Sequence, residues 1–129
     1  MAREKILLVD DDPDIRDAMT IVLESAGYIV STAVDGDECL KLISMEPPDL
    51  LILDLLMPKK DGFDVYRELR STNWPGTKDM PIIIITSVRE EASRRRYELE
   101  TGQTLDVDSY IEKPISPESL INIVNKLIK

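Results

Sequence analysis

Two short runs of aliphatic residues, with no polar residue inside them, constrain the fold of this chain more than any other feature. They are Leu50–Leu53 and Ile82–Ile85. A strand that is apolar at every position is buried on both faces, whereas a strand with one face in water alternates apolar and polar residues. Burial of both faces requires helices on both sides of a parallel sheet. The chain is therefore predicted to be an α/β protein with a doubly wound parallel sheet.

Short apolar segments alternate with longer amphipathic segments along the whole chain. The predicted strands are Lys5–Val9, Tyr28–Ala33, Leu50–Leu53, Ile82–Ile85 and Tyr110–Glu112, the last of them at a sheet edge. The predicted helices cover residues 13–26, 35–44, 63–70 and 89–100, with another beginning at residue 117. Because the strands are near-continuous apolar runs, each is predicted to be buried on both faces. Alternation of strands and helices predicts an open, doubly wound sheet.

The length and the charge of the chain limit its domain count and its partners. Its 129 residues suit one domain, with a core at about residues 5–128. It carries 25 acidic and 16 basic side chains, a net charge of −9, and such a surface repels nucleic acid and anionic lipid. Its first residues resemble neither a signal peptide nor a membrane span. We therefore expect a cytoplasmic protein without direct nucleic acid or membrane partners.

The absence of histidine excludes several kinds of chemistry. It removes histidine-based catalytic triads, histidine-ligated zinc and a phosphohistidine carried by this chain. The single cysteine, Cys39, cannot form an internal disulfide and is expected to be a small buried residue on a helix. Any chemistry of this chain must therefore use carboxylates, hydroxyls and lysine.

Polar residues follow four of the predicted strands at the point where each strand ends. They are Asp10–Asp12, Asp54, Thr86 with Ser87, and Glu112–Pro114. In an open parallel sheet, ligands bind outside the carboxyl ends of the strands. Neighbouring strands lie ~4.8 Å apart, so carboxylates on adjacent strands repel by roughly 3 kcal/mol per pair at an effective dielectric constant of 20. A protein rarely keeps such a cluster unless it has a function.

A hard divalent cation would relieve this repulsion. Mg²⁺, or Mn²⁺ in its place, prefers oxygen ligands and accepts phosphate oxygens in its coordination sphere. Asp54 could then act as a nucleophile that forms an acyl phosphate. Lys113 could neutralise one phosphoryl oxygen, and Thr86 could donate a hydrogen bond to another. Catalysis would then consist mainly of positioning and charge neutralisation.

The segments at these strand ends resemble the four signatures of the response-regulator receiver family. The segments are Leu8–Asp12, Leu53–Gly62, Pro81–Ser87 and Tyr110–Pro114. Each motif is weak by itself, but all four occur in order, and the similarity extends from Lys5 to Ile128. It implies a flavodoxin-like fold with a five-stranded sheet in the order 2-1-3-4-5. One departure is the stretch from 86 to 113, which is longer than usual and has a mostly polar segment at 103–108 where small residues are expected.

The resemblance also implies roles for individual residues. Asp54 would be phosphorylated by a sensor histidine kinase or a histidine phosphotransfer protein. Asp11 and Asp54 would bind Mg²⁺ through their side chains, Leu56 through its backbone carbonyl, and Asp10 mainly through water. Thr86 and Lys113 would hold the phosphoryl group. Thr86 and Tyr110 would move together as a two-state switch that phosphorylation biases.

The same resemblance implies a signalling protein and not a conventional turnover enzyme. Because the chain ends at its last predicted helix, we expect a stand-alone receiver without an effector domain. Its output would pass to a downstream protein, with the receiver a monomer or a phosphorylation-dependent dimer. An alternative is a phosphorelay intermediate that passes the phosphoryl group on.

Two other functions stay open. The Asp10–Asp12 segment also resembles the Asp-x-Asp nucleophile motif of Mg²⁺-dependent phosphatases of the haloacid-dehalogenase type, with Thr86 and Lys113 in place of later motifs. That family needs a further acidic pair after the lysine strand, where this chain has only Ser116–Glu118, and the chain is short for it. The other function is a pseudo-receiver, an interaction module that is not phosphorylated. The complete set of acidic residues argues against it.

Overall fold

The computed structural model describes residues 4–55, 57, 61–71, 77, 79–102 and 107–128. Its strands are β1 (Lys5–Val9), β2 (Ile29–Ala33), β3 (Leu50–Asp54), β4 (Ile82–Thr86) and β5 (Ser109–Glu112). Its helices are α1 (Pro13–Ser25), α2 (Gly36–Met45), α3 (Gly62–Ser71), α4 (Val88–Thr101) and α5 (Pro117–Ile128). Strands and helices alternate in chain order, as the sequence predicted.

The strands form one parallel sheet in the order β2-β1-β3-β4-β5. This confirms the predicted doubly wound α/β fold and the predicted edge position of the fifth strand. Val9 pairs with Leu53 across β1 and β3, so the residues that follow in each strand come out side by side at the carboxyl edge. Asp54 in turn pairs with Ile85 of β4. The register therefore places the ends of three strands at one location.

A hydrophobic core lies on each side of the sheet, because successive side chains of a strand point to opposite faces. One core joins alternate residues of β1, β3 and β4 to α2 and α3, and includes Leu53, Ile84 and Cys39. The other joins the intervening residues to α1 and α5, and includes Ile52 and Ile83. Every residue of β3 and β4 is buried, as the aliphatic runs predicted.

The prediction that every strand is buried on both faces is wrong at the exposed Glu112 of β5 and, over most of its length, for β2. Of its five residues, Ala33 is buried, whereas Ile29, Ser31 and Thr32 are exposed. The physical reason is its position at an edge of the sheet, where the helices on the two faces cover it incompletely. Its sequence, which includes serine and threonine, is compatible with this exposure.

Polar side chains define the starts of the first two helices and hold the loops at the carboxyl edge. Asp12 caps α1 by accepting a hydrogen bond of 2.9 Å from the backbone N–H of Asp14. Asp35 caps α2 in the same way, by accepting a hydrogen bond of 2.9 Å from the backbone N–H of Glu38.

The atypical segment noted at 103–108 lies largely outside the described residues. Within the described ranges, no helix has the length and apolar character needed to cross a membrane.

Candidate functional site

Three carboxylates meet at the carboxyl edge of the central strands. Asp10 and Asp11 directly follow β1, and Asp54 is the last residue of β3. Each offers one carboxylate oxygen, and these three oxygens lie within 4.8 Å of one another. Asp10 and Asp54 are 0% and 2% exposed, whereas Asp11 is exposed. The group is therefore an acidic pocket with a buried floor and an open rim, as the strand-end pattern predicted.

Lys113 brings a positive charge to the same pocket from the end of β5. Its ammonium nitrogen lies 3.4 Å from Oδ1 of Asp54 and 3.6 Å from Oδ2 of Asp10. Its backbone N–H donates a hydrogen bond of 2.7 Å to the carbonyl oxygen of Thr86, which ties its loop to the end of β4. The Lys113 side chain is 21% exposed. One ammonium group therefore serves two buried carboxylates.

The neighbours of the buried Asp10 carboxylate stabilise its charge only in part. Burial raises the pKa of its carboxyl group, and the nearby charge of Asp11 raises it further. The N–H of Asp12 and the ammonium of Lys113 oppose this increase without cancelling it. Oδ1 accepts the Asp12 N–H at 2.9 Å, whereas Oδ2 is buried without a hydrogen bond among the described atoms. A buried polar atom of this kind is costly unless another group binds it.

These donors fit a hard divalent cation. All three side chains offer carboxylate oxygens, the ligands that Mg²⁺ prefers, and Oδ2 of Asp10 has no hydrogen bond among the described residues that would compete with a cation. The exposed position of Asp11 leaves the pocket accessible from solvent. The fourth ligand predicted from the sequence, the backbone carbonyl of Leu56, lies outside the described residues.

The two residues predicted to form a switch lie on adjacent strands beside the pocket. Thr86 ends β4 and is buried, and its hydroxyl donates to the carbonyl oxygen of Ser87 at 3.2 Å. Tyr110 pairs with Ile84 in the neighbouring β5, is half-buried and packs against the core next to α2 and α3. Their proximity is compatible with coupled movement, and their predicted roles stay predictions.

Two residues near the pocket were not assigned a contact from the sequence. Arg16, in the first turns of α1, donates from Nη1 to the carbonyl oxygen of Asp10 at 2.8 Å. Gly62 begins α3, and a Cβ placed there would lie 2.5 Å from the carbonyl oxygen of Asp54. From the sequence, Gly62 was interpreted as a residue that shapes the backbone. For Arg16 the sequence indicates only a polar position on an amphipathic helix. Only the path of the chain reveals these contacts.

Comparisons with known proteins agree with this geometry. A family model described as "Response regulator receiver domain" matches residues 6–125. The "Probable transcriptional regulator ycf27" of Guillardia theta is 42% identical over 118 residues, which are 92% of this chain and 42% of that protein. The "Response regulator MprA" of Mycobacterium ulcerans is 38% identical over 125 residues, or 97% of this chain and 50% of its own length. The chain thus spans about half the length of these curated relatives.

Solved structures give the same assignment. The receiver domain of the Francisella response regulator 1452 matches with a TM-score of 0.79 and 31% identity, over 98% of this chain and 97% of that one. The chemotaxis protein CheY4 of Vibrio cholerae matches with a TM-score of 0.81 and 28% identity, over 98% and 99% of the two chains. Fold, acidic pocket and family model agree, and the chain belongs to the response regulator receiver domain family of two-component signalling.

Proposed function

We propose that Asp54 accepts a phosphoryl group, in the presence of Mg²⁺, from a sensor histidine kinase or a histidine phosphotransfer protein. Receiver domains as a family are phosphorylated by histidine kinases and typically bind Mg²⁺ at an acidic pocket. The observation that carries the proposal is the location of the Asp54 carboxylate. It is buried beside two further acids and lies 3.4 Å from the ammonium nitrogen of Lys113.

The reaction is a transfer between two nucleophiles. A carboxylate oxygen of Asp54 forms the new O–P bond, the N–P bond of the donor phosphohistidine breaks, and the imidazole nitrogen keeps the electron pair and takes a proton from solvent. When bound, Mg²⁺ neutralises charge on the carboxylates and the phosphoryl oxygens. Asp10, Asp11, Asp54 and the backbone carbonyl of Leu56 are the groups that would hold that ion. Lys113 stabilises charge on the phosphoryl group as it arrives.

The same proposal includes a conformational switch. The Thr86 hydroxyl leaves the carbonyl oxygen of Ser87, to which it donates at 3.2 Å, and donates to a phosphoryl oxygen instead. The side chain of Tyr110, on the neighbouring strand, moves inward into the space that is released. The phosphoryl group thereby favours one of two packing arrangements of β4 and β5, which is the population shift that a switch requires.

The output proposed for this chain is a contact with a downstream protein, made by a cytoplasmic stand-alone receiver that is not a turnover enzyme. Its net charge of −9 supports a protein target over nucleic acid. Relatives of about twice this length, named as a transcriptional regulator and a response regulator, argue against a stand-alone receiver.

Onward transfer of the phosphoryl group is the alternative output. In either case the receiver is proposed to be a monomer or a phosphorylation-dependent dimer.

Labelling with acetyl phosphate and Mg²⁺ tests the acceptor. Intact-mass spectrometry should show a gain of one phosphoryl group in the native sequence and no gain in Asp54→Asn. Asp17→Asn is the matched control, because Asp17 is an exposed acid on α1, and it should label normally. If Asp54→Asn labels as fast as the native protein, the acceptor is wrongly assigned. Turnover of a phosphate ester that is lost in Asp10→Asn but kept in Asp54→Asn would instead support the phosphatase alternative.

A second measurement tests the switch and the output. Amide chemical shifts are compared with Mg²⁺ alone and with Mg²⁺ plus beryllofluoride, an acyl-phosphate mimic. The proposal predicts shifts at Asp11 and Asp54 with Mg²⁺, and further shifts at Tyr110 with beryllofluoride. Thr86→Ala should keep the first set and lose the second. Shifts at Tyr110 that persist in Thr86→Ala would separate the tyrosine from the threonine and remove the coupled switch.

A further inference from the structure

We infer that Arg16 is a positioning residue for the acidic pocket, which acts by fixing the backbone of Asp10 and thereby the direction of the cation ligands. Its Nη1 donates a hydrogen bond of 2.8 Å to the carbonyl oxygen of Asp10, six residues earlier in the chain. The inference rests on the proposed cation site, and adds to it a residue that does not touch the cation.

Besides the ion pair of its carboxylate with Lys113, three hydrogen bonds hold Asp10, and Arg16 supplies one of them. Its backbone N–H donates to the carbonyl oxygen of Ala33 in β2 at 3.2 Å. Its Oδ1 accepts the N–H of Asp12 at 2.9 Å. Its carbonyl oxygen accepts from Arg16, at 2.8 Å. The first contact ties Asp10 to the sheet and the second orients its carboxylate. The third fixes the peptide plane that joins Asp10 to Asp11.

That peptide plane decides where Asp11 points. Asp11 is exposed and stands in the turn between β1 and α1, so the sheet itself does not hold it. Rotation of the plane between Asp10 and Asp11 would move the Asp11 carboxylate away from the other two acids. Arg16 is anchored by the first backbone hydrogen bond of α1, from its own N–H to the carbonyl oxygen of Asp12 at 3.0 Å. The guanidinium group therefore connects a rigid helix to the turn that carries the ligands.

The charge of Arg16 and its hydrogen bond predict opposite effects on cation affinity. A guanidinium group bound to the backbone of Asp10 repels a divalent cation in the neighbouring pocket, so its removal should strengthen cation binding if charge alone matters. Loss of a residue that orients metal ligands typically weakens affinity by about 10- to 100-fold. The sign of the change in affinity therefore decides between a positioning role and a purely electrostatic one.

The experiment is a Mg²⁺ titration of the full chain, followed by the amide chemical shifts of Asp11 and Asp54. Arg16→Met should raise the dissociation constant for Mg²⁺ about tenfold or more. Arg16→Lys, which keeps a cationic donor, should restore most of the affinity. Arg95→Met is the matched control, because Arg95 is an exposed arginine on α4, away from the turn between β1 and α1, and it should leave the constant unchanged. An unchanged or lower constant in Arg16→Met would overturn the inference.

Stability and phosphorylation are measured on the same variants. If Arg16→Met does not unfold cooperatively, Arg16→Gln, which is also neutral, is held to the same criterion. The rate of labelling by acetyl phosphate should fall at low Mg²⁺ and recover when Mg²⁺ saturates the variant, because the defect lies in cation affinity. A rate that stays low at saturating Mg²⁺ would contradict the positioning role. Mg²⁺ binding is observed without phosphorylation, so failure of the acceptor assignment does not affect this result.

Discussion

The ammonium nitrogen of Lys113 lies 3.4 Å from Oδ1 of Asp54, although the two residues are 59 positions apart in the chain. The same nitrogen lies 3.6 Å from Oδ2 of Asp10. A single positive charge thus stands between two buried carboxylates at the carboxyl edge of the sheet. Without a metal, Lys113 stabilises the two carboxylates. In the proposed reaction it competes with Mg²⁺ for these carboxylates, and it attracts the phosphoryl group.

Replacement of Lys113 should therefore change cation binding and phosphorylation in opposite directions. Lys113→Met removes a charge that repels Mg²⁺, so the affinity for Mg²⁺ should rise. Loss of a group that stabilises developing charge costs about 10²- to 10³-fold in rate, so labelling by acetyl phosphate should fall by about that factor. Mg²⁺ titration and mass spectrometry measure the two effects. Lys126→Met, at an exposed position on α5, is the control. A variant that labels normally would contradict the role of Lys113.

The acidic pocket should reduce the stability of the protein in the absence of a divalent cation. Asp10 is fully buried, its Oδ2 accepts no hydrogen bond among the described residues, and it stands beside two further acids. Asp10→Asn should therefore raise the free energy of unfolding at neutral pH without Mg²⁺, on the order of 1 kcal/mol. Asp37→Asn, an exposed acid on α2, should change it by less than about 0.5 kcal/mol. Urea denaturation measures both variants.

With Mg²⁺ added, the native protein should be more stable than Asp10→Asn, which reverses the order expected without Mg²⁺. A ligand that binds only the folded state stabilises it by RT ln(1 + c/Kd), where c is its free concentration, so the unfolding midpoint of the native protein should rise with the concentration of Mg²⁺. Asp10→Asn should show a smaller rise, because it has lost one ligand. Equal rises in the two proteins would mean that Mg²⁺ binds elsewhere.

Gly62 should be required for the close approach of α3 to the end of β3. A Cβ at this position would lie 2.5 Å from the carbonyl oxygen of Asp54 and 2.9 Å from Cα of Leu55, which are backbone atoms that cannot rotate away. Gly62→Ala should cost roughly 1–3 kcal/mol of stability and slow the labelling of Asp54. Gly27→Ala is the comparison, because Gly27 has a φ of +97° in open space. It should cost about 1–2 kcal/mol without a change in labelling.

Asp61 should make the stability of α3 depend on pH. Burial raises the pKa of its carboxyl group, and the charge of Asp64 adds to this, whereas its hydrogen bond from the Asp64 N–H, at 3.0 Å, opposes it. A raised pKa in the folded state means that stability is fully present below the unfolded pKa of about 3.9 and is lost as pH rises through the folded pKa.

The variant Asp61→Asn keeps a side chain that can cap the helix but does not titrate. Its free energy of unfolding, relative to the native protein, should therefore increase as the pH rises from about 4 to 7. In the Asp64→Asn background the increase should be smaller, because one cause of the raised pKa has been removed. Urea denaturation over this pH range measures both. A difference that does not change with pH would contradict the assignment.

Most of the architecture could be predicted from local sequence. The aliphatic runs of β3 and β4 predict burial on both faces. Asp12 and Pro13 predict the start of the first helix, and Gly27 predicts its end. The strand order and the switch role of Tyr110 came from the family resemblance, since no local pattern specifies which strands are neighbours. The exposure of β2 was missed, because burial of a strand depends on its place in the sheet as well as on its residues.

The sequence by itself determined the parallel sheet and the set of groups available for chemistry, because apolar periodicity and residue type are local properties. The tertiary structure decided the distances: Lys113 between two carboxylates, the backbone of Asp54 against Gly62, and Arg16 on the carbonyl of Asp10. Such contacts join residues from different strands, helices and turns. They depend on register and on the path of each loop, which only the packing of the whole chain resolves.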